Sequence, residues 1–396
     1  MVPFRSTMVP SDMTTGGSLI KLLATSMVIM GAACSSSSSH GTGDGGTTGS
    51  CSNPPKVEDT SLKECTSCTS MATCTPSTPL EACCTWVGEP SAALQRATNL
   101  HRYSAPAGMT TPDLSCLSNP GTLGTPQMVT LTGYVWIFSN GVTDSSGNPS
   151  SSGVKVEVFT ENVAKGDGSI SATPIGSYTT SPSDKADPVD TTWLKNCSQG
   201  CKLRQYTIPM IPTETPLVIK TSDAAGGTDW ATVYDYNIYF SNAQVQAGFP
   251  GVSNCPAGDA CYDATAAAAT DLGTVANVLG VSVNGSMGLL AGEVHDCGDV
   301  RLYGATANTD TRAQTPMFYF TDDEGNPLPD TSVSVTSHLG LFGAINYPTG
   351  VPIRVTALGQ DATAAGKFLM LGTYVVQMYP GAVTAIALRG RRPWQP

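Results

Sequence analysis

Thirteen cysteines are the most reactive side chains of this 396-residue sequence, and their spacing decides which chemistry is open to them. A cysteine ligates metal, attacks as a thiolate or pairs oxidatively, according to compartment and neighbours. Cys65-Thr-Ser-Cys68 is a CxxC, half of a zinc knuckle. The second half would be another CxxC or a spaced His pair, which Cys74, Cys83-Cys84 and the solitary His101 do not supply. Neither a metal nor a cofactor is expected. His295-Asp296-Cys297 sets an acid–base group, a carboxylate and a thiol side by side, and His338 is the distant partner a hydrolase would need. Adjacent strand residues point to opposite faces, so the triplet reads as a strand end with a disulfide-bonded cysteine. Asp322-Asp323-Glu324-Gly325-Asn326 gathers carboxylates without the alternating spacing or distal Glu of a calcium loop, and reads as an acidic hairpin turn. No G-x-S-x-G elbow, HExxH, P-loop or Rossmann glycine pattern occurs, so no catalytic residue is expected. Two aromatic groups, Tyr234, Tyr236, Tyr239 and Phe240 in one and Tyr374 and Tyr379 in the other, are suited to stacking on a sugar. In a sheet with one buried face, most such rings pack inward.

The stretch that places these residues in a compartment is Ser18–Cys34. Lys21 carries a positive charge, Leu22–Met30 is mostly apolar, and Gly31-Ala32-Ala33 are small. That is the layout of an export signal, and the run is shorter than the ~20 apolar residues of a membrane span. With Cys34 directly after the small residues, it resembles the bacterial lipoprotein signal, in which that cysteine is lipidated and becomes the new N-terminus. Gly31 stands where that family usually has Leu. A plain secretory peptide is the alternative, and either one exports the chain. The resemblance implies a membrane contact through lipid on Cys34. Ser35 in place of Asp implies sorting to the outer membrane. Residues 34–50 form a Ser/Gly-rich tether, flexible for want of anything apolar to bury.

Charge narrows the partners. Arg5 and Lys21 against Asp12 leave residues 1–33 at +1, so the rest of the −11 chain carries −12. An acidic cargo without a basic cluster excludes nucleic acid as a partner. Arg389, Arg391 and Arg392 read as a solvated tail. Setting Cys34 aside leaves 12 cysteines, an even number that reads as a disulfide framework in an exported protein. Seven lie in Cys51–Cys116. Cys197 with Cys201, and Cys255 with Cys261, can each close a small loop. If every cysteine pairs, Cys297 must reach the N-terminal module.

Low charge (13%), 41 Gly and 28 Pro favour short strands and turns. Val154-Lys-Val-Glu-Val158 alternates strictly, as a half-buried antiparallel strand does. The expected architecture is all-β: a signal (1–33), a tether (34–50), a cysteine-rich module (51–120), a first antiparallel β-sandwich (121–248), a linker with a short helix (249–285) and a second sandwich (286–396). In the linker, Thr270 or Asp271 would cap a helix that Gly280 stops.

The two sandwich regions look related. Tyr206-Thr-Ile208, Pro212-Thr213 and Pro216-Leu-Val-Ile219 match Phe342, Ala344-Ile345, Pro348-Thr349 and Pro352-Ile-Arg-Val355 at one offset. These segments should occupy equivalent places in two sandwiches. A continuous sheet through both regions, or a different topology at these segments, would make the likeness an accident of turn chemistry. Gly292-Glu-Val294, Gly304-Ala305, Thr336-x-x-x-Gly340-x-Phe342 and Tyr347-Pro-Thr-Gly-Val-Pro-Ile-Arg-Val355 resemble the carboxypeptidase-regulatory-like, or transthyretin-like, module. The resemblance covers about 289–358 and implies a Greek-key sandwich, structural or accessory in role, without catalytic residues to transfer. The expected function is therefore that of a non-enzymatic surface lipoprotein, structural, adhesive or ligand-binding, with a glycan or an envelope protein as partner. The alternative is an envelope hydrolase or an accessory enzyme subunit. A cleft gathering His295, Asp296 and His338 would favour it.

Overall fold

The computed structural model describes residues 100–395 apart from 105–107, 118, 139–141, 187–201, 225, 250–254, 312, 323–326 and 361–367. The signal, the tether, most of the cysteine-rich module, and Cys34, Cys197 and Cys201 lie outside the described residues.

The architecture is all-β. Strands β1 (His101–Ser104) and β2 (Gly108–Thr110) come first. A first half follows with β3 (Met128–Phe138), β4 (Val154–Thr160), β5 (Gly176–Thr179), β6 (Gln205–Pro212) and β7 (Leu217–Asp223). It continues through β8 (Trp230–Ala231), β9 (Val233–Ile238), helix α1 (Asn242–Ala247), β10 (Ala260–Cys261) and β11 (Ala264–Ala268). Helix α2 (Ala269–Val278) leads to the second half, β12 (Gly288–Val294), β13 (Leu302–Tyr303), β14 (Thr306–Thr309), β15 (Phe318–Phe320) and β16 (Pro329–Asp330). The last strands are β17 (Leu341–Tyr347), β18 (Pro352–Gln360), β19 (Phe368–Gln377) and β20 (Val383–Leu388).

Pairing follows the same plan in both halves. β3 pairs antiparallel with β6 and parallel with β11, while β4, β7 and β9 form an antiparallel set. β12 pairs antiparallel with β17 and parallel with β20, while β14, β18 and β19 form the second antiparallel set. The matched segments, β6–β7 and β17–β18, therefore hold the same place in the order. Each is a strand, a Pro-Thr turn and a strand that enters the other sheet. One cross-strand pair repeats as well: Gly133 faces Tyr206, and Gly292 faces Phe342. An aromatic ring covers each glycine, and a Cβ at Gly292 would collide with the Phe342 ring. At Gly133 an added Cβ would run into the Tyr262 carbonyl oxygen.

Three expectations about the architecture need correction. The halves are not separate sandwiches, because β9 and β20 pair in parallel and make one nine-stranded sheet, β16-β15-β17-β12-β20-β9-β7-β4-β5. By the criterion stated for the repeat, this continuity makes the Pro-Thr likeness an accident of turn chemistry, and what the halves share is the pairing plan described above. Nor are the sheets purely antiparallel, since β20 and β11 return parallel to β12 and β3. Residues 249–285 are also more than a linker, because β10 and β11 both pair with β3 and complete the first half.

Burial on both faces explains the apolar runs. Leu131, Val135, Ile208 and Ile211 pack on Val154, Val156, Val158 and Ile219 between the β3 layer and the long sheet. The opposite face of that sheet carries Phe159, Val218 and Tyr236 together with Leu290, Phe342 and Ile386, under Ile353, Val355 and Val376. Adjacent Leu289 and Leu290 enter different clusters, which a strand permits only when both its faces are covered. On β4, Glu157 is buried too, held by Lys155 (2.7 Å) and Lys220 (2.9 Å). Helix α2 begins at Ala269 behind Ala268, which makes no side-chain cap, so neither Thr270 nor Asp271 caps it. Gly280, at φ +68°, follows its end.

A continuous sheet predicts one cooperative unfolding transition for both halves, with equal calorimetric and van't Hoff enthalpies. Ile386→Ala, on the joining strand, should lower the midpoint of that whole transition at a cost of about 2–5 kcal/mol. Two resolved transitions, with only one moved by the substitution, would show that the halves fold independently.

Candidate functional site

Two disulfides lie among the described cysteines. Cys255 and Cys261 close a short loop, with Cα atoms 5.9 Å apart. Cys116 and Cys297 join residues 181 apart in sequence, with Cα atoms at 5.5 Å. Cys297 thus reaches the end of the N-terminal module. Backbone bonds reinforce this junction: Cys297 N–H donates to the Asp113 carbonyl and Asp113 N–H to Asp296 Oδ2, each at 2.9 Å. β1 also pairs with β13, so this stretch is built onto the second half.

The three residues of the His-Asp-Cys triplet do separate jobs. Asp296 Oδ1 accepts from Gly298 and Val300 N–H and shapes the turn. His295 sits between Glu293 (Nε2, 2.6 Å) and Asp299 (Nδ1, 2.7 Å). Arg301 backs Glu293 at 2.9 Å, and Arg389 backs Asp299 at 2.8 Å. Burial opposes charge on this array, but the partners prevail. The two carboxylates hold the His295 imidazolium above its usual range, and Arg301 with His295 draws Glu293 down to about 2. His338 bonds instead to Asp322, at 3.1 Å. Among the described residues no cluster of His, Cys, Asp or Glu could hold a metal ion.

The C-terminal arginines are not a solvated tail. Arg392 donates from Nε to Asn237 Oδ1 (2.7 Å) and from Nη2 to Asn237 O (2.9 Å). Its guanidinium lies over the rings of Tyr239 and Trp394. Burial pulls its pKa down to about 9. Local sequence carried no sign of this, because the aromatic platform assembles from Tyr239, just past β9, and Trp394 at the chain end.

The aromatic groups sort themselves by depth. Tyr236 and Tyr374 are buried, and Tyr239 bonds Glu214. Tyr234 and Tyr379, distant in sequence, stack with centroids 3.9 Å apart and planes 17° apart. With Phe159 and Ile170 they wall an open recess of about 490 Å³ between the halves, and Ser169, Ser171 and Gln377 add polar atoms. Beneath it, Tyr236 donates to the Gly168 carbonyl (2.8 Å), so the Tyr379 hydroxyl, 3.1 Å away, must donate to Tyr236. Tyr374 donates to Glu161 at 2.6 Å. Burial, only partly offset by that bond, pushes the Glu161 carboxyl up to about 8.

Two tests follow. Non-reducing peptide mapping should return a Cys116–Cys297 cross-link, and replacing both by Ser should cost on the order of 5 kcal/mol in the chain-entropy treatment. A Cys297 that alkylates without reduction would contradict this. For Glu161, the folded pKa lies above the ordinary 4.5, so the folded state binds the proton more tightly. Stability should therefore fall as pH rises from 4.5 through about 8. Glu161→Gln keeps the acceptor for Tyr374 and should remove this slope, gaining on the wild type by up to a few kcal/mol at alkaline pH. Parallel pH–stability curves for the two proteins would refute the assignment.

No family model matches this chain, and no curated protein does. A solved structure of a mutant of the major pilin from Streptococcus pyogenes aligns with 66% of this chain and 98% of its own at 11% identity. The TM-score is 0.15, too low for that likeness to carry an argument about fold or function.

Proposed function

We propose that this chain is an exported lipoprotein, held at the outer membrane through Cys34, whose β scaffold is structural or adhesive and binds a glycan or an envelope protein without catalysing a reaction. The signal, tether and cysteine order support the anchor, and the carboxypeptidase-regulatory-like motifs over 289–358 fit an accessory scaffold. The recess at the junction of the halves is the observation that carries the binding role. Its wall of stacked tyrosines beside hydroxyl and amide groups is the make-up of a binding site, an apolar surface with a few placed polar groups. The hydrolase reading required His295, Asp296 and His338 in one cleft. Instead His295 is committed to two carboxylates, Asp296 to backbone N–H groups and His338 to Asp322.

The anchor is tested at Cys34. Wild type should incorporate palmitate and sediment with membranes, whereas Cys34→Ala should lose the label and either become soluble or keep its signal. One acyl chain gives only marginal binding and several give stable anchoring, so fractionation should register the difference. A wild type that takes up no palmitate overturns the anchor.

A further inference from the structure

We infer that the recess between the two halves binds an uncharged pyranoside segment of a glycan, with Tyr234 and Tyr379 as the stacking wall and the Gln377 amide as the polar contact. The inference rests on reading the recess as a binding site and adds the class of ligand.

The polar groups there are partly committed in a way that leaves complementary valences. Gln377 Nε2 donates to the Asp167 carbonyl at 2.7 Å, which leaves its amide oxygen as an acceptor. Ser169 Oγ accepts from Asn162 Nδ2 at 3.3 Å and donates to the Asp167 carboxylate, so the remaining donor is the second Nε2 proton of Gln377. A donor and an acceptor beside an aromatic wall match a sugar ring, whose C–H face is apolar and whose edge carries hydroxyls that both donate and accept.

Charge selects among sugars. The lining contains no carboxylate and no cation. The Lys220 amine lies 5.8 Å from the Tyr234 ring centre and is paired with Glu157 at 2.9 Å. The nearby carboxyl of Glu161 is held by Tyr374 and, raised by burial, carries its proton at neutral pH. An anionic sugar would lose hydration here without gaining a free cation. The wall is also preordered, because the tyrosine stack and the Tyr379–Tyr236–Gly168 hydrogen bonds fix both rings before any ligand arrives.

The test is isothermal titration of the full chain in detergent at pH 7 with cellotetraose, maltotetraose and chitotetraose, and with tetragalacturonate as the anionic probe. At least one neutral probe should bind and tetragalacturonate should not. Gln377→Leu and Tyr379→Ala should each weaken the neutral probe by about tenfold or more, the loss of one good hydrogen bond or stacking contact. Met210→Ala, an exposed position on β6, should leave it unchanged. If Tyr379→Ala does not fold, Gln377→Leu carries the test. Binding of no neutral probe, preference for tetragalacturonate, or affinity indifferent to these variants overturns the inference. Any of these would leave palmitate labelling and fractionation of the wild type unaltered, so failure here is distinct from failure of the anchor.

Discussion

The parallel pairing of β9 with β20 is the contact on which the rest of this structure depends. It runs from Val233 opposite Val383 to Tyr236 opposite Ile386. Each strand would otherwise be the bare edge of its own sheet, with a row of unsatisfied N–H and C=O groups. Joined, they satisfy one another and give a single sheet whose two faces each receive a covering layer. The same contact sets Tyr234 beside the β19–β20 turn that bears Tyr379, and so creates the recess. It also brings the chain end after β20 to Asn237, where Arg392 binds.

The join links unlike edges. β9 closes the β4–β7 set of the first half, whereas β20 closes the β12–β17 set of the second. A head-to-tail contact of this kind can propagate into a filament unless the remaining equivalents are blocked. Here they are. β8 pairs with β11, the first-half counterpart of β20. β19, the counterpart of β9, is met by Gln395, which donates to the Thr373 carbonyl, and by Gly168, packed against the Val376 backbone.

Several charged groups buried by this layering are paired. Glu157 lies between two lysines, and Asp235, which burial raises to about 6, accepts a hydrogen bond from Tyr262. The alternating array Arg301–Glu293–His295–Asp299–Arg389 links β12, its following turn and the end of β20. His295 is the well-covered member, so removing one of its carboxylates leaves an imidazolium short of a partner.

Much of this protein is written in local sequence. Period two in β4, Pro-Thr turns at equivalent points, and an even cysteine count all follow from rules that act within a few residues or from simple parity. They sufficed for the all-β class and for the reasoning that led from Cys297 to the N-terminal module. Tertiary structure alone decided the rest. Ala264–Ala268 has poor intrinsic strand preference and became a strand because β3 offered it a ladder. Arg389 and Arg392 looked solvated until Asp299, Asn237 and two aromatic rings converged on them from other elements. Of six candidate aromatics, Tyr234 and Tyr379 line the recess, because depth depends on which edges join. Pairing between distant edges is a contest among backbones that all offer the same hydrogen bonds. Side-chain periodicity tells which face of a strand is buried, and only assembly of the whole sheet tells which strand lies next to it.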